Sequence, residues 1–314
     1  MGIAFVFPGQ GSQIVGMGKA FYDNFPVARE VFQEVDDALA QHLSKIIFEG
    51  PDSDLTATEN TQPAIMATSI AILRTLEKEG GITLKSKARL VAGHSLGEYT
   101  ALCAAQAISL SDTARLLKTR GQAMQAAVPQ GVGMMAAIIG PEIAVIEQII
   151  REVSEGDERC EIANDNAPGQ VVISGTRAAV ERAMVLAKEK RAKRAIELNV
   201  SAPFHCSLIA PAADIMREAL AKVEIRRPIV PVLANITASA AMEPDQIRDL
   251  LVQQVTGRVR WRETILKMHV LAIDETWEIG PGKVLCGLNK RITPTLTCHA
   301  INEVADIETM VKAA

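Results

Sequence analysis

Ser95 has the sequence context of a catalytic nucleophile. It lies between Gly93 and Gly97, directly after the apolar residues Leu90–Ala92 and before a helix-forming stretch. A serine on a sharp strand-to-helix turn needs neighbours without side chains, and its hydroxyl then projects at the helix N-terminus. The free backbone N–H groups of that terminus can stabilise an oxyanion. The pattern predicts a nucleophile elbow; an ordinary glycine-rich turn between a strand and a helix is the alternative.

A serine nucleophile needs a base, and the chain has five histidines. His205 lies in the small, proline-containing loop Ser201–Ser207, which is placed to return to the mouth of the main sheet. We interpret the neighbouring Cys206 as structural, because no nearby group lowers the pKa of its thiol. The other histidines are interpreted as packing or surface residues: His42, His94, His269 and His299.

The first glycine-rich loop, Phe7–Gln13, follows an apolar run. A dinucleotide-binding G-x-G-x-x-G motif would need glycine at Ile14, and no Gly-Lys pair of the chain has the spacing of a phosphate-binding loop. A loop at the carboxyl end of a strand can instead present backbone N–H groups and the Gln10 amide to a ligand. A tight turn without a ligand is the alternative.

From the residues alone, two basic features of the sequence are most simply interpreted as solvent-exposed. Arg120 follows the elbow helix on a second helical pattern, and an arginine on a solvated helix face is the default. The run Lys188–Arg194 is most simply a solvated helix end, with a landing site for an acidic partner as the alternative.

Length and composition restrict the class of protein. The chain has 314 residues, of which 48% are hydrophobic and 22% charged, and this predicts about two domains with a sizeable core. The net charge of −4 gives no general attraction to nucleic acid or to an anionic membrane. No apolar run has transmembrane length, and the N-terminal run predicts a buried strand rather than a signal peptide.

The cysteines give no sign of a disulfide framework or of a structural zinc site. There are five of them, widely spaced and without a C-x-x-C pair. We therefore expect reduced thiols, a cytoplasmic location and no metal.

Apolar runs alternate with helical patterns, which predicts an α/β protein with a largely parallel sheet. The predicted strands and helices of the first part are strands at Ile3–Phe7 and Leu90–Ala92, helices at Pro26–Ala40 and Gln62–Lys78, and two helices between Gly97 and Val128 with a cap near Ser109.

The pattern changes after residue 129. Strands and helices are predicted in the order β-α-β-β-α-β at Met134–Ile139, Glu142–Val153, Cys160–Ala163, Val171–Ser174, Arg177–Arg191 and Ala195–Leu198. This order is the ferredoxin-like pattern. We predict a small inserted subdomain over residues 130–199 and a main domain built from residues 1–129 and 200–314.

Several short strings stand along the chain in a fixed order: FPGQGSQ at Phe7–Gln13, TQPA at Thr61–Ala64, GHSLGEY at Gly93–Tyr99, RG at Arg120–Gly121, NDNAPGQVVISG at Asn164–Gly175, APFH at Ala202–His205 and IGPGKVL at Ile279–Leu285. Together they resemble the malonyl-CoA:acyl carrier protein transacylases of fatty-acid and polyketide synthesis, nearly from end to end. The resemblance implies an α/β hydrolase-like core with an inserted ferredoxin-like subdomain.

The resemblance also implies a reaction. Ser95 matches the serine that attacks the malonyl thioester, and His205 matches its base. The malonyl-serine ester is then cleaved by the phosphopantetheine thiol of acyl carrier protein, in a ping-pong sequence. Coenzyme A enters as the thioester donor and leaves as product, so no cofactor or metal is implied.

Further site residues follow from the resemblance. The backbone N–H groups of Gln10 and Leu96 match the oxyanion donors. Arg120 matches the arginine that pairs with the malonyl carboxylate, and its planar fork suits bidentate binding. The remaining matches are substrate-binding Gln62 and Asn166 and histidine-orienting Gln254, with Gln253 adjacent. Lys290 and Arg291 are our first candidates for docking an acidic carrier protein, ahead of the Lys188–Arg194 run.

Leu96 and Phe204 resemble the residues of malonyl-selecting rather than methylmalonyl-selecting relatives. The chain departs from the family at Ala167, where many relatives have serine, and at Val255–Arg258, which replaces a Tyr-Asn-Pro region. Two other functions remain as alternatives: a true α/β hydrolase, expected to have an acid between its serine and a late histidine, and a carrier-binding scaffold with an idle serine.

Overall fold

The structure is a computed structural model that describes residues 2–129 and 131–313. Its strands are β1 Gly2–Phe7, β2 Leu90–Gly93, β3 Gly133–Ile139, β4 Cys160–Ala167, β5 Gln170–Thr176, β6 Arg194–Glu197, β7 Val232–Ala234, β8 Ser239–Ala241, β9 Ile273–Ile279 and β10 Thr297–Ile301. Three residues at the limits of the predicted domains, Met1, Gln130 and Ala314, lie outside the described residues.

The helices cover most of the remaining chain. They are α1 Lys19–Asn24, α2 Pro26–Leu39, α3 Leu43–Glu49, α4 Asp52–Thr56, α5 Thr58–Gly80, α6 Leu84–Lys87, α7 Leu96–Ala104, α8 Leu110–Ala126, α9 Ile143–Val153, α10 Arg177–Glu189, α11 Ala210–Ala221, α12 Pro244–Thr256, α13 Trp261–Val270, α14 Val284–Ile292 and α15 Val304–Ala313. A short 3₁₀ turn, Ser207–Ile209, precedes α11. In the described part of the chain, no helix combines the length and apolar character needed to cross a membrane.

The larger sheet has six strands in the order β10-β9-β1-β2-β7-β8. All neighbours are parallel except β8, which runs antiparallel to β7. Successive residues of β1 face opposite sides: Phe5 and Phe7 belong to one apolar cluster, whereas Ala4 and Val6 belong to another. A parallel sheet covered on both faces explains why β1 is apolar throughout. The predicted mostly parallel sheet is confirmed.

The second sheet has four antiparallel strands in the order β4-β5-β3-β6. The chain passes through β3, α9, β4, β5, α10 and β6, as the sequence pattern predicted. Val171 and Ile173 of β5 face α9 and α10 in an apolar cluster of their own, while Val172 faces the main body. This smaller sheet therefore has one face for its own helices and one face toward the larger sheet.

The predicted elements are confirmed with small shifts of their ends. The two helices expected between Gly97 and Val128 are α7 and α8, and the Ser109 hydroxyl caps α8 by accepting from the Asp112 N–H at 3.0 Å. Strand β4 continues to Ala167, beyond the predicted end at Ala163.

One prediction about the cysteines is wrong. Cys286 in the first turn of α14 and Cys298 on β10 form a disulfide, with their Cα atoms 5.3 Å apart. Residues this far apart in sequence carry no local signature of pairing, because only the packing of α14 beside β10 brings them together. Cys103, Cys160 and Cys206 are free thiols and buried, as expected.

Candidate active site

Ser95 occupies a strained turn between β2 and α7. Its backbone has φ 54° and ψ −110°, and it is the residue immediately before the helix. A Cβ atom on Gly93 would overlap the Gly97 carbonyl, and one on Gly97 would overlap the Phe7 carbonyl of β1. The two glycines are therefore required for the turn, and the sequence prediction of a nucleophile elbow is confirmed in its geometry.

His205 lies directly beside the elbow. Its Nε2 atom is 2.8 Å from the Ser95 Oγ. Its Nδ1 atom lies 3.0 Å from the Gln254 carbonyl oxygen and 3.1 Å from the Gly257 carbonyl oxygen. Because carbonyl oxygens only accept, Nδ1 carries the proton and Nε2 is the free acceptor for the serine hydroxyl.

The surroundings keep the His205 imidazole neutral. Burial, as the largest effect, and the nearby positive charge of Arg120 together lower its pKa to about 3. A neutral imidazole with a free Nε2 atom can take a proton from Ser95 at neutral pH. The pair therefore has the arrangement of a nucleophile and a general base.

Arg120 is buried rather than solvated, so the residue-based default of a surface helix face is wrong. Its side chain is 1% exposed. One guanidinium nitrogen, Nη2, donates to the Ser95 Oγ at 3.1 Å and to the Gln254 Oε1 at 3.0 Å, and Nη1 donates to the Gln62 Oε1 at 2.8 Å. Within residues 2–129 and 131–313, the Nε atom has no hydrogen-bond partner. A cation is thus aimed at the nucleophile with unused hydrogen-bonding capacity.

A cavity of about 120 Å³ lies over Ser95. Its polar wall includes Gln10, Gln62 and Asn164, and its apolar wall includes Phe204. The other lining residues are His94, Ser95, Leu96, Arg120, Met124, Met135, Leu198, Val200 and His205. The smaller sheet contributes Met135 and Asn164 to the lining. The loops after β1 and β2 of the larger sheet contribute Gln10 and Ser95, so the site lies between the carboxyl edge of the larger sheet and the smaller sheet.

The predicted oxyanion donors lie on two loops at the same edge of the larger sheet. Leu96 is the first residue of α7, so its N–H has no acceptor within the helix. Gln10 lies just after β1, whose neighbour in the sheet is β2. Both residues line the cavity beside Ser95. Their donor role stays a prediction.

Gln254, rather than the exposed Gln253, is the glutamine that faces the site. Its main-chain carbonyl accepts from His205, and its side-chain Nε2 donates to the Ser95 carbonyl oxygen at 3.0 Å. The unusual segment Val255–Arg258 still supplies a second carbonyl, that of Gly257. The departure from the family sequence in this loop therefore leaves the contacts of His205 in place.

Asn235 and Glu98, which the sequence analysis missed, hold the backbone of the elbow through hydrogen bonds. The Asn235 side chain accepts from the Ser95 N–H at 2.8 Å and donates to the Gly93 carbonyl at 2.7 Å. The Glu98 carboxylate accepts from the Asn235 N–H at 3.0 Å and from Gln254 Nε2 at 2.7 Å. Asn235 follows β7, the strand next to β2, so its place at the carboxyl edge of the sheet was a usable signal.

Asn166 and His94 form a pair at the side of the site. The His94 Nε2 atom is 2.8 Å from the Asn166 Oδ1, and the half-buried His94 ring packs beside Trp261. His94 does not contact the serine hydroxyl, but it lines the cavity, whereas Asn166 does not. Asn166 is thus linked to the cavity through His94, whereas Asn164 of the same strand lines it directly, and the substrate-binding role of Asn166 stays a prediction.

The other predicted residues lie outside the cavity. His42, His269 and His299 are exposed, as the packing or surface interpretation expected. The Cys206 thiol is buried, and burial raises its pKa to about 11, which agrees with a structural role. Lys290 and Arg291 are exposed at the end of α14, and Arg291 donates to the Pro168 carbonyl at 3.0 Å.

Among the described residues, one group has the spacing of potential metal ligands: Glu278, Cys286 and Cys298. Its two sulfur atoms are bonded to each other, and Glu278 accepts from the backbone N–H groups of Leu285 and Cys286. These donors are already engaged, and none of them lines the cavity over Ser95.

The arrangement can perform acyl transfer to and from a serine. It combines a nucleophile, a neutral base, helix N–H groups beside the reacting centre and a buried cation 3.1 Å from the nucleophile. The cation favours an acyl group that carries a negative charge close to its carbonyl carbon.

Comparisons with known proteins agree with this chemistry. Residues 4–284 match the model of the family described as acyl transferase domain. A malonyl CoA-acyl carrier protein transacylase of Bacillus subtilis is 45% identical over 310 residues, covering 99% of this chain and 96% of that protein.

Solved structures are similar over the whole chain. An acyl-carrier-protein-S-malonyltransferase from Bartonella henselae has a TM-score of 0.97 and 52% identity, covering 100% of this chain and 99% of that chain. A malonyl-transacylase in complex with its type II PKS acyl-carrier protein has a TM-score of 0.96 and 41% identity, covering 100% of both chains. The chain therefore belongs to the malonyl-CoA:acyl carrier protein transacylase family and is an acyltransferase.

Proposed function

We propose that this protein transfers the malonyl group from malonyl-CoA to the phosphopantetheine thiol of an acyl carrier protein. The observation that carries the proposal is the buried Arg120 guanidinium 3.1 Å from the Ser95 hydroxyl. A malonyl group has its carboxylate two carbons from the thioester carbonyl, so it can reach the cation while the carbonyl carbon meets Ser95. The names of the relatives support the same donor and acceptor.

In the first half-reaction Ser95 Oγ attacks the thioester carbonyl and gives its proton to His205 Nε2. The backbone N–H groups of Leu96 and Gln10 stabilise the oxyanion, which is typically worth about 10²- to 10³-fold per donor. Collapse of the intermediate breaks the C–S bond, and the imidazolium returns the proton to the departing coenzyme A thiolate. The product is a malonyl-serine ester, and the thioester itself supplies the activation, so the proposed reaction needs no metal or redox cofactor.

In the second half-reaction the carrier's thiol gives its proton to His205 and attacks the ester. Ser95 recovers its proton, and malonyl-carrier leaves, which completes a ping-pong sequence. The small cavity and the apolar wall around Phe204 support a preference for the thiol over water.

A hydrolase of the usual triad type is less well supported, because His205 Nδ1 meets two main-chain carbonyls rather than a carboxylate. An idle serine on a carrier-binding scaffold is also less well supported, since a neutral base lies 2.8 Å from the Ser95 Oγ.

We propose that the six-stranded sheet and its helices form an α/β hydrolase-like core over residues 1–129 and 200–314. We classify 130–199 as a ferredoxin-like subdomain, which the β-α-β-β-α-β order and the β4-β5-β3-β6 sheet support. The cytoplasmic location expected from the sequence stays a prediction.

Lys290 and Arg291 are the proposed contacts for the acidic surface of the carrier. They are exposed on the last turn of α14, in contact with the turn between β4 and β5 through Arg291. The substrate-binding roles of Gln62 and Arg120 are proposed together, because the Gln62 side-chain Oε1 accepts from the Arg120 Nη1 at 2.8 Å.

Intact-protein mass spectrometry tests the proposal. The wild-type protein is incubated briefly with malonyl-CoA or acetyl-CoA, beside Ser95→Ala and a control, Ser207→Ala, whose exposed serine lies near His205 in sequence but donates to Glu161. We expect one malonyl adduct on the wild type and Ser207→Ala, none on Ser95→Ala, and discharge by holo-acyl carrier protein. Absence of an adduct would favour the scaffold, and discharge by water regardless of carrier would favour the hydrolase.

A further inference from the structure

In the part of the chain that the structure describes, the buried cation at the active site makes no direct hydrogen bond to an anionic side chain. The Arg120 guanidinium, 1% exposed, donates to three neutral acceptors: Gln62 Oε1, Ser95 Oγ and Gln254 Oε1. Taking a charge out of water is costly unless a counter-charge lies nearby. The counter-charge of Arg120 must therefore lie among the side chains that contact its hydrogen-bond acceptors.

Glu98 is the carboxylate among these side chains, because it contacts Gln254. It lies on α7, is 3% exposed, and accepts through Oε2 from the Asn235 N–H and from Gln254 Nε2. Burial is the main effect on this carboxyl group and raises its pKa to about 7, while the two hydrogen bonds and the Arg120 charge oppose the rise. Glu98 therefore changes its charge near neutral pH.

The Gln254 amide connects the two charges. Its Oε1 accepts from Arg120 at 3.0 Å, and its Nε2 donates to Glu98 at 2.7 Å. A guanidinium only donates and a carboxylate only accepts, so this amide has one possible orientation between them. The result is an ion pair that is bridged by a side-chain amide.

We propose that Glu98 is the counter-charge of Arg120 and takes up one proton from solvent when a malonyl carboxylate binds the guanidinium. Glu98 is thus a positioning residue for malonyl selection that acts through Gln254. The inference rests on the proposed function. Without substrate, one cation and one anion balance. With malonyl bound, two carboxylates share one cation in a dry site, and protonation of Glu98 restores the balance.

The neighbouring titratable groups do not account for a charge change between pH 6.5 and 8.5. From α8, Arg120 stays charged. On α7, burial raises the pKa of the Tyr99 phenol to about 12. From the loop before α11, His205 has its pKa lowered to about 3, and at the end of β2 burial lowers the pKa of His94 below its ordinary value of 6.5. Asn235 and Gln254, from β7 and α12, do not titrate.

Isothermal titration calorimetry tests the inference directly. Malonyl-CoA and acetyl-CoA are each titrated into Ser95→Ala, which stops the chemistry, in phosphate and in Tris at pH 7.5. The difference in heat between the two buffers counts the protons taken up. We expect about 0.5 to 0.8 proton more for malonyl-CoA than for acetyl-CoA. The coenzyme A phosphates are common to both ligands and cancel.

Two further variants in the Ser95→Ala background identify the group. Glu98→Gln keeps an acceptor oxygen but removes the charge, and the extra uptake is expected to disappear. Glu278→Gln changes another buried glutamate whose pKa is raised by burial, and the extra uptake is expected to remain. With Glu98 in place, the ratio of malonyl to acetyl affinity should fall roughly 5- to 25-fold between pH 6.5 and 8.5.

The outcomes separate the inference from the proposed function. Equal proton uptake for the two ligands, or extra uptake that persists in Glu98→Gln, overturns the role of Glu98 while the enzyme still forms its malonyl adduct. Failure of the wild-type protein to form that adduct removes the proposed function and this inference together.

Discussion

The carboxyl edge of the six-stranded sheet and the cluster between the four-stranded sheet and its helices differ in the polarity of their buried side chains. The first contains buried polar and charged side chains, among them Glu98, Arg120, His205 and Gln254. The second is an apolar cluster that includes Ile173 and is packed under α9 and α10. The two regions are joined through β3, where Met135 lines the cavity while Met134 faces the apolar cluster.

This difference in polarity indicates that the two regions have different roles, one in activity and one in stability. Parallel strands end at the same edge, so loops from β1, β2 and β7 converge there and can share hydrogen bonds. Antiparallel strands end at alternate edges and give no such meeting point, and the small sheet contributes a wall of the cavity through Met135 and Asn164. We therefore expect substitutions at the edge to reduce activity and substitutions in the small core to reduce stability.

Loss of the base gives the largest expected effect. His205→Ala should lower the rate of malonyl-serine formation by about 10²- to 10⁴-fold, because positioned proton transfer typically contributes that much. Rapid-quench acylation at saturating malonyl-CoA is the measurement. A loss smaller than about 10-fold would mean that Ser95 is activated by another group and that the edge is not organised around His205.

The second effect concerns acyl choice. Arg120→Ala should weaken use of malonyl-CoA relative to acetyl-CoA by roughly 30- to 5,000-fold, corresponding to about 2–5 kcal/mol for a carboxylate left unpaired in the cleft. The ratio of kcat/KM values for the two donors is measured. An unaltered ratio would remove Arg120 from substrate recognition.

The small core is tested by Ile173→Ala. Ile173 is 1% exposed, and its truncation should cost about 2–5 kcal/mol of the free energy of unfolding through the lost contacts and the cavity. Urea denaturation is compared with Ile196→Ala, whose side chain lies on the same sheet and is 45% exposed, so little change is expected. If Ile173→Ala instead abolished acylation in the folded state, the division between the two regions would be wrong.

The buried base should also make the protein sensitive to acid. The folded-state pKa of His205, about 3, lies below its ordinary value of 6.5, so between these values the unfolded chain binds a proton that the folded protein does not. Stability is therefore lost as pH falls below 6.5, by about 2 kcal/mol at pH 5 from this group. Denaturation curves at pH 7 and pH 5 should differ less for His205→Ala. If the wild type and His205→Ala lost the same amount of stability between pH 7 and pH 5, other groups would be responsible for the acid sensitivity.

The smallest effect is expected at the border of the two regions. Replacing Lys290 and Arg291 together by alanine should raise the KM for acyl carrier protein by roughly 3- to 10-fold, without changing malonyl-serine formation. The matched control replaces Lys193 and Arg194, which belong to the alternative basic run. An effect of the control pair alone would move the docking surface to the small subdomain.

Local sequence was sufficient for most of the elements and for the turn that holds Ser95. The glycines around Ser95 and the cap at Ser109 depend on steric and hydrogen-bonding rules within a few residues, so both were predictable. Most elements were placed within a few residues of their observed ends, because hydrophobic periodicity is a local property.

The same local rules failed for Arg120. On its own helix Arg120 has no feature that distinguishes a buried arginine from a solvated one, and the family resemblance rather than the residues indicated its role. Likewise, β4 was predicted to end at Ala163, yet the strand continues through the polar residues Asn164–Asn166, which are buried.

What the sequence by itself determined was therefore the order of strands and helices, the elbow and the family. Only the tertiary structure decided which side chains meet: Glu98 with Gln254, His205 with the Gly257 carbonyl, and Cys286 with Cys298. Such pairs are brought together by the strand order of the sheet and by helix packing. Their charge and protonation then depend on burial, a property that no single segment of the chain possesses.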